Sequence, residues 1–263
     1  MRVLLDYETD NGRRGFGDVL ISTPVIEALA KKYGTRIDVV LRKEAQPLLY
    51  DNPYVRRIYE LTDQLPIADI HLVLGMKVED YSNPRNQQPR VDSMAELFGV
   101  SCNNKVPQLY YPEQQTIPNS IGVSIESESD VRTWQYNHLL KLIEEVKAEW
   151  HVFGLKAHDL LPNVQNHLGK LTLEETIKWT ARMERFLTVD SFFSHLTASL
   201  NIPTVILYTS IPAEWRSKYY PKAKAIQAIV ECSPCWDKQK NIKACNGKCT
   251  YSITPQLVEE YLK

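Results

Sequence analysis

The chain reads as an α/β protein made of two similar βα halves, and three observations predict this. Short apolar runs that suit buried strands alternate with helical segments, which is the pattern of parallel sheets with covered faces. The alternation breaks once, at residues 110–119, where Pro112 and Pro118 surround Glu-Gln-Gln-Thr, and then restarts. The length of 263 residues, with 43% apolar and 24% charged residues, suits one large or two small soluble domains. The expected domains are therefore residues 1–112 and 119–263, with a cleft between them of the kind where ligands commonly bind.

In the first half, residues 2–6 form a buried first strand, followed by a Gly- and Arg-rich loop at 11–17. A helix follows over 18–30, with Asp18 or Ser22 as its cap, Pro24 in its first turn and Gly34 at its end. Strands are expected at 37–41, 57–61 and 70–74, and a helix at 91–98 closed by Gly99. Asp51-Asn52-Pro53 supplies turn chemistry before the third strand. In the second half, strands are expected at 121–125, 151–154, 185–189 and 204–208. The helices fall at 138–149, 173–183, 194–200 and 254–263.

The formal net charge of -1 gives no basic excess to point to nucleic acid as the main partner. The apolar run Val3–Leu5 is too short for a signal-peptide core, and no stretch approaches the roughly 18 apolar residues of a membrane span. A cytoplasmic protein with at most peripheral membrane contact is the expectation, and cytosolic thiols stay reduced. Of five cysteines, four cluster: Cys232, Cys235, Cys245 and Cys249. Four thiolates on so short a segment make a tetrahedral zinc or iron site; disulfides and free thiols are the alternatives.

Three segments together resemble glycosyltransferase family 9, the ADP-heptose:lipopolysaccharide heptosyltransferases. They are Gly17-Asp18-Val19-Leu20-Ile21-Ser22-Thr23-Pro24, then Gly169-Lys170-Leu171-Thr172-Leu173-Glu174-Glu175, and then Asp190-Ser191-Phe192-Phe193-Ser194-His195 continuing to Val205. The resemblance implies the GT-B architecture: two Rossmann-like domains with an interdomain cleft, inverting transfer, and no metal needed for catalysis. It also implies a nucleotide diphospho-sugar donor, ADP-heptose by analogy, and an acceptor on a glycan, a lipopolysaccharide core or a protein. The Cys-x-Pro-Cys segment recurs in the family, and some protein-modifying relatives hold iron there.

Gly17 and Asp18 stand at the loop-to-helix turn. Glycine lets backbone approach a ligand, and Asp18 matches the family's proposed base, which takes the acceptor proton. Helix capping, at about 1 kcal/mol, is the alternative use of Asp18. Asp190, Ser191, Ser194 and His195 lie between a strand and a helix, where free N–H groups and the helix dipole favour a diphosphate. A plain N-cap with a satisfied core histidine is the alternative there. Phe192 stands where the family has glycine. Arg132, before Trp134, suits a cation for the departing diphosphate or a solvated surface residue. Arg13 and Arg14 suit an anionic acceptor or a solvated loop. After Phe153-Gly154 relatives place an acid on the donor ribose, whereas this chain has Lys156, with Asp159 nearby.

These residues point to an inverting glycosyltransferase. A nucleotide-sugar-binding protein without transfer and a metal-stabilised interaction module are the rival readings. Oligomeric state, sugar, acceptor and metal are open at this point.

Overall fold

The computed structural model describes residues 1–8, 15–74, 86–155, 162–235 and 247–263. The chain divides into two compact units, residues 1–112 and 113–263.

Unit 1 holds a four-stranded parallel sheet. Strands β1 (Val3–Asp6) and β2 (Ile37–Val40) are buried along their whole length, while β3 (Val55–Tyr59) and β4 (Ile70–Val73) form the edges, in the order β3-β2-β1-β4. Helix α1 (Phe16–Ile21) begins after Gly15, and α2 (Thr23–Tyr33) follows after Ser22. Pro24 sits in the first turn of α2, where its missing N–H leaves no bond unmade, and Gly34 closes the helix at φ 62°. Helix α3 (Arg90–Leu97) completes the unit, with Gly99 beyond it at φ 59°. The expected single helix from residue 18 is thus two helices, because Ser22 breaks the run. Its hydroxyl donates to the Val19 carbonyl at 2.8 Å and lies 2.5 Å from the Tyr7 hydroxyl.

Unit 2 holds six parallel strands in the order β10-β9-β8-β5-β6-β7. They are β5 (Ile117–Ser124), β6 (Glu149–Val152), β7 (Gln165–Asn166), β8 (Met183–Val189), β9 (Thr204–Tyr208) and β10 (Ala223–Gln227). Strand alternation sends neighbouring side chains to opposite faces. Ile121, Val123, Leu187, Val189, Val205 and Leu207 enter one core with Leu139 and Leu142 of α4 (Tyr136–Glu145) and Val258 and Leu262 of α9 (Pro255–Leu262). Phe186 and Met183 join a second core on the other face, with Trp179 of α5 (Leu173–Thr180) and Phe193 of α6 (Phe192–Ser199). Helix α5 starts on a reciprocal capping box: Glu175 N–H donates to Thr172 Oγ1 at 3.2 Å, and Thr172 N–H to Glu175 Oε2 at 2.8 Å. Short helices α7 (Glu214–Ser217) and α8 (Lys248–Ser252) finish the unit.

Strand β5 starts four residues earlier than expected, inside the region read as a linker. Pro118 is tolerated because the ladder to β8 is irregular between Ile117 and Ile121. Strands β7 and β10, and helices α7 and α8, were not expected; each is short, and β10 alternates charge and alanine, which masks its periodicity. Among the described residues, no helix is long and apolar enough to cross a membrane.

Candidate functional site

In each sheet the chain winds outward from a central strand and then returns to that strand's other side. The reversal lies between β1 and β4 in unit 1 and between β5 and β8 in unit 2. At such a point the loops leaving adjacent strands part, and a crevice opens at the carboxyl ends.

In unit 2 charged side chains gather at this strand end. Asp190, the residue after β8, is 2% exposed, and its carboxylate lies between two guanidiniums. Arg132 Nη1, from a 3-10 turn after β5, is 3.3 Å from Asp190 Oδ2 and also donates to the Asp190 carbonyl at 3.3 Å. Arg216 Nε, from α7, is 3.6 Å from Oδ1. Burial pushes the Asp190 carboxyl up, but Arg216, Arg132 and His195 together outweigh it and hold it below its ordinary value. Two guanidiniums therefore face one carboxylate next to the first turn of α6. Arg132 is the more open of the two, its side chain 25% exposed.

Arg216 was missed in the sequence, where it is one cation in a polar stretch far from Arg132. Only the adjacency of β9 to β8 brings its helix over Asp190.

The other expected residues of this segment divide by exposure. Ser191 stands at the N-cap position of α6 without a capping bond, and its hydroxyl is 3.2 Å from Thr188 Oγ1. Ser194 was expected to add a hydroxyl for the ligand. It is fully buried and donates instead to the Ser191 carbonyl at 2.7 Å. His195 is 5% exposed, with Nδ1 2.6 Å from the Tyr220 hydroxyl. Burial raises the Tyr220 phenol, so that hydroxyl keeps its proton. Trp134 is buried, its Nε1 donating to the Ile253 carbonyl at 2.8 Å.

In unit 1, Gly17 and Asp18 lie in the first turn of α1, at the carboxyl end of β1. Asp18 caps neither helix, because Gly15 holds the N-cap position of α1 and Ser22 that of α2. Instead Asp18 Oδ1 accepts from Arg90 Nη2 at 3.0 Å. Arg90 opens α3 and is 6% exposed, while the Asp18 side chain stays 20% exposed. The start of α1 is further held by Arg42, whose guanidinium lies 5.1 Å over the Phe16 ring and 3.6 Å from Glu8 Oε1. The Asp18–Arg90 contact has no local signal: 72 residues separate the partners.

The expected metal set of Cys232, Cys235, Cys245 and Cys249 is not supported. Cys245 lies outside the described residues, as do Arg13, Arg14, Lys156 and Asp159. Cys232 is exposed, Cys235 is half-buried with its N–H on the Ser210 carbonyl at 3.0 Å, and Cys249 is 1% exposed within the core. Among the described residues, no three His, Cys, Asp or Glu side chains gather into a set able to hold a metal ion.

Comparison with known proteins converges on one family. Residues 119–245 match the model of glycosyltransferase family 9 (heptosyltransferase). A stretch of 75 residues is 32% identical to lipopolysaccharide heptosyltransferase 3 of Escherichia coli; it covers 26% of this chain and 22% of that relative, so the shared stretch is about a fifth of the relative's length. Among solved structures, TibC of enterotoxigenic E. coli H10407 superposes with TM-score 0.79 at 17% identity, over 99% of this chain and 75% of that one. TibC is described as an iron-containing dodecameric glycosyltransferase, and a second structure of it contains ADP-D-β-D-heptose. The E. coli heptosyltransferase WaaC with ADP superposes with TM-score 0.70 at 16% identity, over 100% and 99% of the two chains. The chain thus has the GT-B fold expected from its motifs.

Proposed function

Starting from a chain that is heptosyltransferase-like, with its family 9 segment at residues 119–245, we propose that it is an inverting glycosyltransferase. It moves a sugar from a nucleoside diphosphate onto an acceptor hydroxyl of a glycan, a lipopolysaccharide core or a protein. The observation that carries this reading is the Arg132–Asp190–Arg216 assembly at the strand-order reversal of unit 2.

Asp190 lies too deep to meet a ligand, and a carboxylate would repel a diphosphate. Its work is to hold two guanidiniums in place before the ligand arrives. The two guanidiniums and the opening N–H groups of α6 then receive the diphosphate. As the bond from the anomeric carbon to the diphosphate oxygen breaks, its electron pair leaves with the nucleoside diphosphate. Fixed cations stabilise that developing charge without reorganising. The acceptor oxygen forms the new bond to the anomeric carbon from the opposite face, and its proton passes to Asp18. Arg90 holds the Asp18 carboxylate in place. ADP is the donor nucleotide favoured by the relatives, with heptose the sugar by the same analogy.

A thermal-shift screen of ADP, UDP, GDP, CMP and TDP tests the reading on the wild type, Arg132→Ala and Arg216→Ala. At about a hundredfold over its dissociation constant, a ligand stabilises the fold by roughly 2.7 kcal/mol. A response to ADP that either substitution abolishes is the expected result. Silence of the wild type towards all five refutes the donor site.

A further inference from the structure

Unit 1 also holds a carboxylate between arginines, towards the amino-terminal end of its sheet. Asp38, on β2, is fully buried. Its Oδ2 accepts from Arg2 Nε at 2.7 Å and its Oδ1 from Arg56 Nε at 2.9 Å, while Arg56 Nη2 also donates to Oδ2. The two guanidiniums therefore meet on one carboxylate oxygen. Their side chains are 39% and 37% exposed, so the acid is sealed in while the cations stay open to solvent. Burial pushes the Asp38 carboxyl up, but Arg56 and Arg2 outweigh it and hold it below its ordinary value.

A third guanidinium joins them. In a regular strand consecutive residues point to opposite faces, which would separate Arg56 from Arg57. The ladder between β2 and β3 is irregular here: Ile37 pairs with Val55 and Asp38 with Arg57, so Arg56 is an extra residue in β3. A bulge of this kind re-aims a side chain. Arg56 reaches Asp38, and Arg57 lays its guanidinium 4.8 Å over the Tyr59 ring. Tyr59 is 5% exposed, and its hydroxyl accepts from Arg2 Nη2 at 3.2 Å. Asp38 and Tyr59 thus tie Arg2, Arg56 and Arg57 into one cluster. Like charges held this close repel, and an anion seated among them removes that repulsion. Arg2 precedes β1, and Asp38 and Arg56 are the second residues of β2 and β3. Asp18 lies at the opposite, carboxyl end of β1, so the cluster stands apart from the proposed reacting groups.

We propose that Arg2, Arg56 and Arg57 form a phosphate-binding site on unit 1, separate from the donor and acceptor groups of the transfer. Guanidiniums match phosphate oxygens with paired N–H donors, and Asp38 fixes two of the three before the ligand arrives. The ligand is a phosphate group carried by a soluble molecule or by a lipid head group.

Two measurements on the full chain test this: calorimetric titration with inorganic phosphate, and co-sedimentation with phosphatidylcholine vesicles with and without phosphatidic acid. The proteins are the wild type, Arg56→Gln, Arg57→Gln and Arg132→Ala. The wild type is expected to bind phosphate, and each substitution in unit 1 to weaken it by about tenfold, the worth of a hydrogen bond to a charged group. Arg132→Ala is expected to retain that binding, since its cation belongs to unit 2. Arg57 makes no bond to Asp38, so Arg57→Gln keeps the test open if Arg56→Gln does not fold. Sedimentation that requires phosphatidic acid and is lost in Arg57→Gln assigns the site to a lipid head group. Phosphate binding without such sedimentation assigns it to a soluble phosphate. A wild type that binds neither probe, unit 1 variants that bind as the wild type does, or loss in Arg132→Ala alone each overturn the proposal.

Discussion

Lowering the pH should destabilise unit 2 through one pair of stacked rings. His151, on β6, is 1% exposed; its Nε2 lies 3.0 Å from Glu149 Oε1 and its Nδ1 3.0 Å from His167 Nε2. The rings stack with centroids 5.3 Å apart and 12° between planes. With the His151 proton directed at Glu149, Nδ1 is the acceptor and His167 Nε2–H the donor, so both rings are neutral. Protonating either ring places positive charge in a half-buried stack and puts N–H against N–H once both are charged. Burial, then the charges of His151 and Lys170, push His167 down to about 4 from an ordinary 6.5. Burial likewise lowers His151, against the pull of Glu149. The folded value lies below the unfolded one, so acid favours the unfolded chain. The stabilisation is complete above pH 6.5, drains away as pH falls from 6.5 to about 4, and is gone below that. At 1.36 kcal/mol per pH unit, the loss is about 3 kcal/mol for His167. Urea denaturation at about pH 7.5, 5.5 and 4 should show the loss in the wild type. His167→Phe keeps the stacking on Phe153 and Trp179, whose centroids lie 4.8 Å away, and cannot titrate. It should lose about 2–3 kcal/mol less over the same range. Parallel pH curves for the two proteins would refute the reasoning.

Asp18→Asn should lower the transfer rate by about a hundredfold or more while leaving ADP affinity unchanged, as initial rates and calorimetry will show. Arg90→Gln should lower kcat more than it changes KM, with partial rescue by Arg90→Lys; an equal change in both constants would make Arg90 merely structural. Gly122→Ala should destabilise unit 2 by about 1–3 kcal/mol in a denaturation curve. The added Cβ would meet the Phe186 ring at 2.3 Å and Met183 Cγ at 2.8 Å, and an unchanged midpoint would show that the aromatic core yields freely.

The strands were legible where they are buried on both faces, since an unbroken apolar run needs no partner to declare itself. Thr204–Tyr208 emerges with the boundaries read from the sequence, and β1 and β2 fall within a residue of theirs. Edge strands β7 and β10 stayed hidden because exposed positions admit polar residues and dilute the pattern. Of the site, the segment from Asp190 to His195 could be located because a strand-to-helix turn has a local signature. Side-chain roles within it could not: whether Ser194 faces a ligand or the Ser191 carbonyl depends on a rotamer and on neighbours from other strands.

Composition and periodicity alone determined that this chain makes two α/β units, and the ordered motifs determined which glycosyltransferase family it resembles. Those are properties of contiguous segments, set by backbone propensity and burial pattern. Tertiary structure decided the pairings. Arg132 and Arg216 meet on Asp190 because β5, β8 and β9 are adjacent in the sheet, and Glu126 reaches Leu155 because β5 pairs with β6. Arg90 finds Asp18 across 72 residues of chain. Hydrogen-bonded ion pairs form only at contact distance, so their partners are fixed only when the fold brings distant segments together.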